Sequence, residues 1–228
     1  EAVKTAEHLT HLLSLIPSEI KDQNPVFNYL GGLVSYQLGS FELAYKEMRA
    51  YLHKNKNDLA ARKVMGNIQL QLGQVTAAKN TFLRIQAAIP NDIETLELLA
   101  LCGLRMGNDI FAARYFNKLI DVVPENIHYR TQAAKIALSR GQSQRAIDYF
   151  GREWVSAQGR PALSKEALSL MARAYLQLKK PEQGFEFARQ FAEQYPSDST
   201  AHLLIGTYLG LMGHPQRAYQ SYAQALEH

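Results

Sequence analysis

The chain has 228 residues, of which 46% are hydrophobic, and its formal net charge at pH 7 is +4. Its single cysteine excludes an internal disulfide bond. No apolar run approaches the roughly 20 residues that a membrane-spanning helix needs, so no membrane span is expected in this segment.

Residues 1–24 contain one amphipathic stretch, from Val3 to Ile16, which Pro17 ends. Leu9, Leu12, Leu13 and Ile16 are spaced for one helical face. We predict a single helix here, the second helix of a preceding repeat whose first helix is absent. The chain opens on Glu1, and we interpret it as a segment of a longer protein.

A period of 34 residues organises the chain after this helix. Glycines recur at this spacing, and small and large apolar residues recur in phase with them. The glycines are Gly39, Gly73, Gly107 and Gly141, and the residues in phase are Gly32, Gly66, Ala100 and Ala134, then Ala44, Ala78, Ala112 and Ala146, then Met48, Phe82, Phe116 and Phe150. Such a period indicates an array of repeats and not a single-core globule.

Each period predicts two helices joined by a tight turn. In the second repeat, apolar residues at helical spacing run from Ala60 to Leu72 and from Gln74 to Ala88, with Gly73 between them. A glycine here favours the left-handed conformation that ends a helix and reverses the chain. We expect Gly66 to allow close approach of the two helices, with Phe82 filling the space beside the contact.

We predict six repeats, at about residues 25–58, 59–92, 93–126, 127–164, 165–198 and 199–228. In the fourth, Ala134 lies 38 residues before its counterpart Ala172, and Gly159 marks the four extra residues as a loop. The fifth is the most degenerate, because Lys179 replaces the turn glycine and Gly184 replaces the packing alanine.

The pattern resembles the tetratricopeptide repeat, a helix–turn–helix unit with two small residues, an aromatic residue and a proline at fixed positions. The matching residues are Gly66, Ala78, Phe82 and Pro90, then Ala100, Ala112, Phe116 and Pro124. The resemblance implies an all-α fold, a right-handed superhelical solenoid of antiparallel helix pairs that binds proteins. A pentatricopeptide array, which binds RNA, typically has a period one residue longer, and the 34-residue spacing disfavours it.

In the tetratricopeptide family the first helices of the repeats line a concave groove that holds a segment of a partner. Carried over to this chain, the groove comprises Tyr29, Leu33, Tyr36, Lys63, Asn67, Leu70, Glu94, Glu97, Arg105, Thr131, Lys135 and Arg173, with Leu101 and Leu203. Such a mixture of aromatic, amide and charged side chains suits a peptide. The alternative interpretation is a solvated inner face with no ligand.

One groove type of the family, the clamp for the terminal carboxylate of chaperones, can be compared residue by residue. Lys63 and Asn67 match its first pair, but Leu98, His128 and Gln132 occupy its remaining positions. Chaperone tails are therefore not the expected ligands.

Positive charge is concentrated around the fourth repeat. The segment from Arg130 to Lys165 contains seven basic residues and two acidic ones. The candidate basic patch comprises Arg140, Arg145, Arg152, Arg160 and Lys165. It supports an alternative function, binding of a polyanion such as a polysaccharide, although ordinary solvated arginines give the same pattern. Few aromatic residues are interleaved with the charge, so nucleic acid is not the expected partner.

Motifs for catalysis or cofactor binding are missing from the sequence, and we expect no enzyme activity, cofactor or metal. Cys102 falls at an inward-facing position of the third repeat, which predicts an inert thiol. His8 and His11 lie three residues apart, but no acidic or cysteine ligand completes a metal site.

These observations predict a protein–protein interaction scaffold that binds a partner segment in its groove. The residue pattern of the repeats, as in NYLGGLVSYQLGSFELA, is similar to that of long bacterial arrays, including lipoproteins of exosortase and exopolysaccharide systems. That similarity implies an extracytoplasmic role in cell-envelope, exopolysaccharide or secretion assembly. A regulatory domain of a multidomain protein is a further alternative, and the apolar Tyr219, Tyr222 and Leu226 predict end-to-end self-association.

Overall fold

A computed structural model describes residues 15–151 and 163–227, together with residues 5, 8, 9 and 11–13. All regular secondary structure in these residues is helical, which confirms the predicted all-α fold. Within the described ranges, no helix combines the length and the apolar character needed to cross a membrane. The helices are α1 (Ser18–Gln23), α2 (Val26–Gln37), α3 (Phe41–Lys54), α4 (Leu59–Gln71), α5 (Val75–Ala88), α6 (Ile93–Arg105), α7 (Asp109–Val122), α8 (Ile127–Ser139), α9 (Ser143–Asp148), α10 (Lys165–Gln177), α11 (Pro181–Gln194), α12 (Ser199–Leu211) and α13 (Pro215–Leu226).

The chain divides into two compact units, Glu1–Tyr115 and Phe116–His228. In unit 1, α2 pairs with α3 and α4 pairs with α5, while α3 also packs on α4 and α5 on α6. In unit 2, the pairs are α8 with α9, α10 with α11 and α12 with α13, and α10 contacts both α8 and α12. We call the first helix of each repeat its A helix, so that α2, α4, α6, α8, α10 and α12 are the A helices.

The turn within each repeat has the left-handed conformation that the glycine ladder predicted. Gly73 has a φ of 71°, and its amide donates to the carbonyl of Leu70 at 3.2 Å. The other turn glycines have the same conformation, with φ values of 74° at Gly39, 63° at Gly107, 72° at Gly141 and 81° at Gly213. Lys179 takes it too, with a φ of 56°, although a side chain there costs free energy that glycine avoids.

Two of the small residues inside helices are explained by the aromatic side chains that cover them. A Cβ atom on Gly66 would overlap the ring of Phe82, which is fully buried. In the fifth repeat, a Cβ atom on Gly184 would overlap the hydroxyl of Tyr208, which donates to the carbonyl of Ala172. The glycine that looked degenerate in the sequence therefore accommodates a tyrosine from the following repeat.

Five of the A helices begin at a residue whose side chain caps the helix. Asp58, at the start of α4, accepts a hydrogen bond from the amide of Ala61 at 2.9 Å. The corresponding caps are Asp92 on Thr95 (3.1 Å), Asn126 on His128 (3.0 Å), Ser164 on Ala167 (3.2 Å) and Asp198 on Thr200 (2.8 Å). Each cap satisfies an amide that has no partner within its own helix.

The structure departs from the prediction before the first repeat. The described residues up to Leu13 include a helical stretch, but a second short helix, α1, follows Pro17 where none was predicted. Proline suits the start of a helix, which explains why α1 begins directly after it. Leu13 is buried, whereas Leu9 and Leu12 are exposed. The predicted loop at Gly159 lies outside the described residues.

Candidate functional site

The predicted groove residues lie on A helices of both units. Tyr29, Leu33 and Tyr36 lie on α2, Lys63, Asn67 and Leu70 on α4, and Glu94, Glu97 and Arg105 on α6, all in unit 1. Thr131 and Lys135 lie on α8 and Arg173 on α10, in unit 2. The two groups are described separately below.

The aromatic residues of α2 join the core of unit 1 while keeping part of their surface exposed. Tyr29, Leu33 and Tyr36 pack against the buried cluster around Met48 and Met65. The ring centroid of Tyr29 lies 5.0 Å from that of Tyr51, a distance typical of a favourable aromatic pair. These three side chains therefore stabilise the packing of α2 as well as lining its outer surface.

Lys63, on the A helix α4, is held by two carboxylates at the start of α6. Lys63 Nζ donates to Asp92 Oδ2 and to Glu94 Oε2, both at 2.8 Å. Burial of the Asp92 carboxylate opposes its ionisation, but the hydrogen bonds from Lys63 and Thr95 outweigh burial and lower the pKa of Asp92. Burial likewise opposes the charge on Lys63, and its two carboxylate partners outweigh burial and raise its pKa.

Arg105 is held in a similar way, because its guanidinium donates to the carbonyl of Leu70 at 2.9 Å and so joins α6 to α4. The side chain of Leu70 itself is only 4% exposed, so it belongs to the core and not to the surface of a groove. Asn67 is half-buried and Glu97 is exposed.

In unit 2, α8, α10, α11 and α12 form a cleft of about 380 Å³ that contains two predicted groove residues, Lys135 and Arg173. We call it the Arg173 cleft, and its lining is Lys135, Lys165, Glu166, Ser169, Leu170, Arg173, Phe191 and Thr200. The ammonium of Lys135 lies 2.9 Å from Glu166, and Lys165 pairs with Asp198. Arg173 is exposed and has no hydrogen bond or ion pair with any residue that the structure describes.

Thr131 does not reach this cleft surface. It is 2% exposed, and its hydroxyl donates to the carbonyl of Ile127, four residues earlier on the same helix, at 2.8 Å. The floor of the cleft is apolar, because Leu170 and Phe191 are 7% and 1% exposed.

The comparisons with known proteins agree with the repeat architecture. The tetratricopeptide repeat family model matches residues 166–198, which comprise the fifth repeat except for its first residue. Residues 166–198 therefore form a tetratricopeptide repeat. The match lies on the repeat that looked most degenerate, so Lys179 and Gly184 do not remove it from the family. No curated protein is similar enough in sequence to count as a relative.

Solved structures show the same tetratricopeptide fold at low sequence identity. MamA (residues 41 to the end) from Desulfovibrio magneticus RS-1 is 18% identical, with a TM-score of 0.64 over 75% of this chain and 94% of that chain. YrrB, described as a TPR protein with an unusual peptide-binding site, is 14% identical, with a TM-score of 0.63 over 81% and 94%. A tetratricopeptide repeat protein from Parabacteroides merdae ATCC 43184 is 16% identical, with a TM-score of 0.56 over 97% and 84%.

The candidate basic patch of the fourth repeat is only partly present as a charged surface. Arg140 and Arg145 are exposed, and the Arg145 guanidinium lies 5.9 Å from the centroid of the Tyr149 ring. Lys165 pairs with Asp198 as described above, while Arg152 and Arg160 lie outside the described residues. Nearby Arg130 donates to the carbonyls of Pro124 and Tyr149 at 2.9 and 2.7 Å, so it serves the fold.

The prediction of an inert Cys102 agrees with its surroundings. Its side chain is fully buried, and burial raises the pKa of the thiol to about 11. The thiolate required for nucleophilic chemistry is therefore scarce at neutral pH. His8 and His11 form no metal-binding group with other residues of the described part.

A second cleft, of about 750 Å³, was not predicted from the sequence. We call it the basic cleft, and its lining is Glu42, Tyr45, Lys46, Arg49, Ala50, Leu52, His53, Lys56, Arg62, Met65 and Arg84. The stripe of Lys46, Arg49 and His53, three and four residues apart on α3, was the sequence signal that could have indicated it. The remaining cations come from α4, α5 and the turn before α4, so no linear window contains the whole group.

Proposed function

We propose that this tetratricopeptide protein is an interaction scaffold that binds an extended segment of a partner protein at the Arg173 cleft. The observation that carries the proposal is the meeting of Lys135, Arg173, Ser169 and Thr200 around an apolar floor. A volume of about 380 Å³ lies within the range of about 300–1,000 Å³ that is usual for ligand sites.

The chemistry of the lining suggests how a peptide would be held. The unpaired guanidinium of Arg173 can bind a carboxylate of the partner through two parallel hydrogen bonds. The hydroxyls of Ser169 and Thr200 can bind the peptide backbone, and an apolar side chain can cover Leu170 and Phe191. Such a mixed site gives both affinity and orientation.

The rigidity of α10 supports the same function. Its inner face is buried in one core with α8, α11 and α12, through residues such as Leu168, Met171 and Ala172. A site on a packed helix is preorganised, so binding orders the peptide and not the receptor. The peptide-binding site in the description of YrrB is a property of that protein, and it supports the proposal by analogy.

The wider setting of the proposal comes from the sequence resemblance alone. We place the scaffold in assembly of a bacterial cell envelope, exopolysaccharide or secretion system. End-to-end self-association also stays a prediction, with Tyr219 and Leu226 on α13 being 75% and 89% exposed.

A photo-crosslinker tests the site directly. Ser169→Cys adds a thiol at the cleft, and a maleimide-linked benzophenone will attach there at pH 7 because Cys102 is buried with its pKa raised to about 11. The labelled protein is irradiated in lysate of the source organism, and crosslinked peptides are identified by mass spectrometry. Arg217→Cys, on the exposed surface of α13 and outside the cleft, is the control attachment site.

The proposal predicts one partner segment that crosslinks at position 169, is absent at position 217 and is lost when Arg173→Glu is added to Ser169→Cys. Identical crosslinks at both positions, or crosslinks that survive Arg173→Glu, would overturn it. Circular dichroism of each variant establishes that the helices are intact.

A further inference from the structure

We propose that the basic cleft of unit 1 is a second interaction surface, which binds an Asp- and Glu-rich segment of a protein partner. It is formed by α3, α4 and α5 and shares no residue with the Arg173 cleft. The inference therefore does not depend on the function proposed for unit 2.

The charge of the basic cleft is strongly one-sided. Its lining contains five Lys or Arg side chains and, among the described residues that line it, one acidic residue, Glu42. Residues 1–115 as a whole contain 12 Lys or Arg and 11 Asp or Glu. The positive charge of a nearly neutral unit is thus gathered in one place.

Four of the five Lys and Arg side chains of the cleft have no partner among the described residues. Lys46, Arg49, Lys56 and Arg84 are exposed, and none forms a hydrogen bond or ion pair through its side chain with a described residue. Like charges held close together repel one another and oppose folding. An anionic ligand would relieve this repulsion. The cluster of cations is therefore explained by ligand binding and not by a contribution to stability.

Arg62 fixes one wall of the basic cleft. Its guanidinium donates to the carbonyl of Lys56, so the turn before α4 is tied to the helix that follows it. Only the backbone carbonyl of Lys56 takes part in this hydrogen bond, and its ammonium is not used by it. Lys56 and Arg62 therefore project from a backbone that this hydrogen bond constrains.

The floor of the basic cleft is apolar and belongs to the core of unit 1. Met65 is 7% exposed, and Tyr45 and Leu52 pack against the same buried cluster. A suitable ligand therefore carries an apolar side chain flanked by carboxylates. Its apolar side chain would cover Met65 and Leu52, and its carboxylates would meet the arginines at the rim.

A protein segment fits this cleft better than a nucleic acid or a polysaccharide does. A polyanion is held along a continuous positive track, whereas unit 1 outside the cleft has seven Lys or Arg against ten Asp or Glu. Single-stranded nucleic acid also needs several stacking platforms, and Tyr45 is the one Phe, Trp or Tyr side chain among the described lining residues. A short acidic peptide requires only the local cluster.

The test is an array of immobilised 12-residue peptides, each with four Asp or Glu residues around one Leu, Phe or Tyr. A matched array replaces every Asp by Asn and every Glu by Gln. The fluorescently labelled protein is applied to both, and the best acidic peptide is then titrated in solution. A 12-nucleotide single-stranded DNA and a sulfated oligosaccharide are titrated beside it.

We expect the acidic peptides to be bound and the amide peptides not, with binding weakened when salt rises from about 0.05 to about 0.5 M. Arg49→Glu combined with Arg84→Glu should weaken binding about tenfold or more. The matched control, Arg114→Glu, changes an exposed arginine of α7 in the same unit but outside the cleft, and should change the affinity less than about twofold.

Three results would overturn the inference. These are no acidic peptide bound, equal loss of affinity in the double variant and in Arg114→Glu, or tighter binding of the DNA or oligosaccharide than of every acidic peptide. Circular dichroism of the double variant separates loss of binding from loss of fold. Failure here leaves the crosslinking result at position 169 unaffected.

Discussion

Two cationic surfaces of unit 1 differ in what their charges do. On its A helices, Lys63 is bound to two carboxylates at the start of α6, and Arg105 is bound to a carbonyl of α4. In the basic cleft, Arg49 and Arg84 have no such partner among the described residues. A cation that is paired within the protein contributes to the stability of the array, whereas a cation without a partner is available to a ligand. Substitutions on the first surface should therefore change stability, and those on the second should change binding.

The largest effect on stability is expected at Asp92, which caps α6 and receives Lys63. Asp92→Ala removes the cap and one of the two carboxylate partners of Lys63, and should lower the free energy of unfolding by about 2 kcal/mol. Urea unfolding followed by circular dichroism measures it. Asp92→Asn is the matched control, because asparagine caps helices as well as aspartate does, and it should lose less than half as much. Equal losses for Ala and Asn would mean that the cap is unimportant.

The pH dependence sharpens the same comparison. The pKa of Asp92 is lowered in the fold, as described above, and so are those of Asp58, through the amide of Ala61 and the Tyr51 hydroxyl, and of Asp198, where the Lys165 contact outweighs burial. A lowered pKa adds stability that is complete above the unfolded value near 3.9 and is lost as the pH falls through the folded value.

Stability should therefore be nearly constant from about pH 7 to 5 and should fall below about pH 4. Urea midpoints at a series of pH values measure this, and Asp92→Asn should give a shallower fall. Arg49→Met should give a curve parallel to that of the parent, because no described acid depends on it. A steeper or flatter curve for Arg49→Met would place that arginine among the paired cations.

Removing Lys63 itself should have a smaller effect than removing Asp92, because the cap of α6 remains. Lys63→Met should lower the free energy of unfolding by about 1 kcal/mol or less, the usual value for a partly exposed ion pair. Lys135→Met, whose pair with Glu166 is more exposed, should cost less than Lys63→Met. The reverse order would show that exposure does not set the value of these pairs.

The smallest effect on stability is expected in the basic cleft. Arg49→Met and Arg84→Met should each leave the free energy of unfolding within about 0.5 kcal/mol of the parent, as surface substitutions usually do. A small gain in the free energy of unfolding would be the more informative result, because each substitution removes one of several like charges that repel one another. A loss of about 1 kcal/mol or more would indicate a structural role that the contacts do not explain.

The repeat architecture could be predicted because the period fixes local events. Gly73 and Gly66 each act through their own repeat, in a turn or under an aromatic ring, and a 34-residue spacing is enough to identify them. Lys179 shows that position in the repeat, and not residue type, determined the turn conformation.

The pairing of charges could not be predicted in this way. Lys63 finds its partners 29 and 31 residues later, through the stacking of two repeats and the reach of long side chains. Leu70 and Thr131 were expected in the groove but are buried, since a one-residue difference in helix position rotates a side chain by about 100°. The basic cleft combines α3, α4 and α5, so a search for runs of charge found the fourth repeat instead.

The difference between the two surfaces can be measured most directly by urea unfolding of the parent, Lys63→Met and Arg49→Met, each with and without the best acidic peptide. A ligand that binds the native state raises the midpoint, and at a fixed ligand concentration the rise grows with the logarithm of its affinity. We predict that Lys63→Met begins lower than the parent and is raised by the same amount, while Arg49→Met begins at the parent value and is raised less. Equal peptide-induced shifts in both variants, or a lower starting midpoint only for Arg49→Met, would contradict the account.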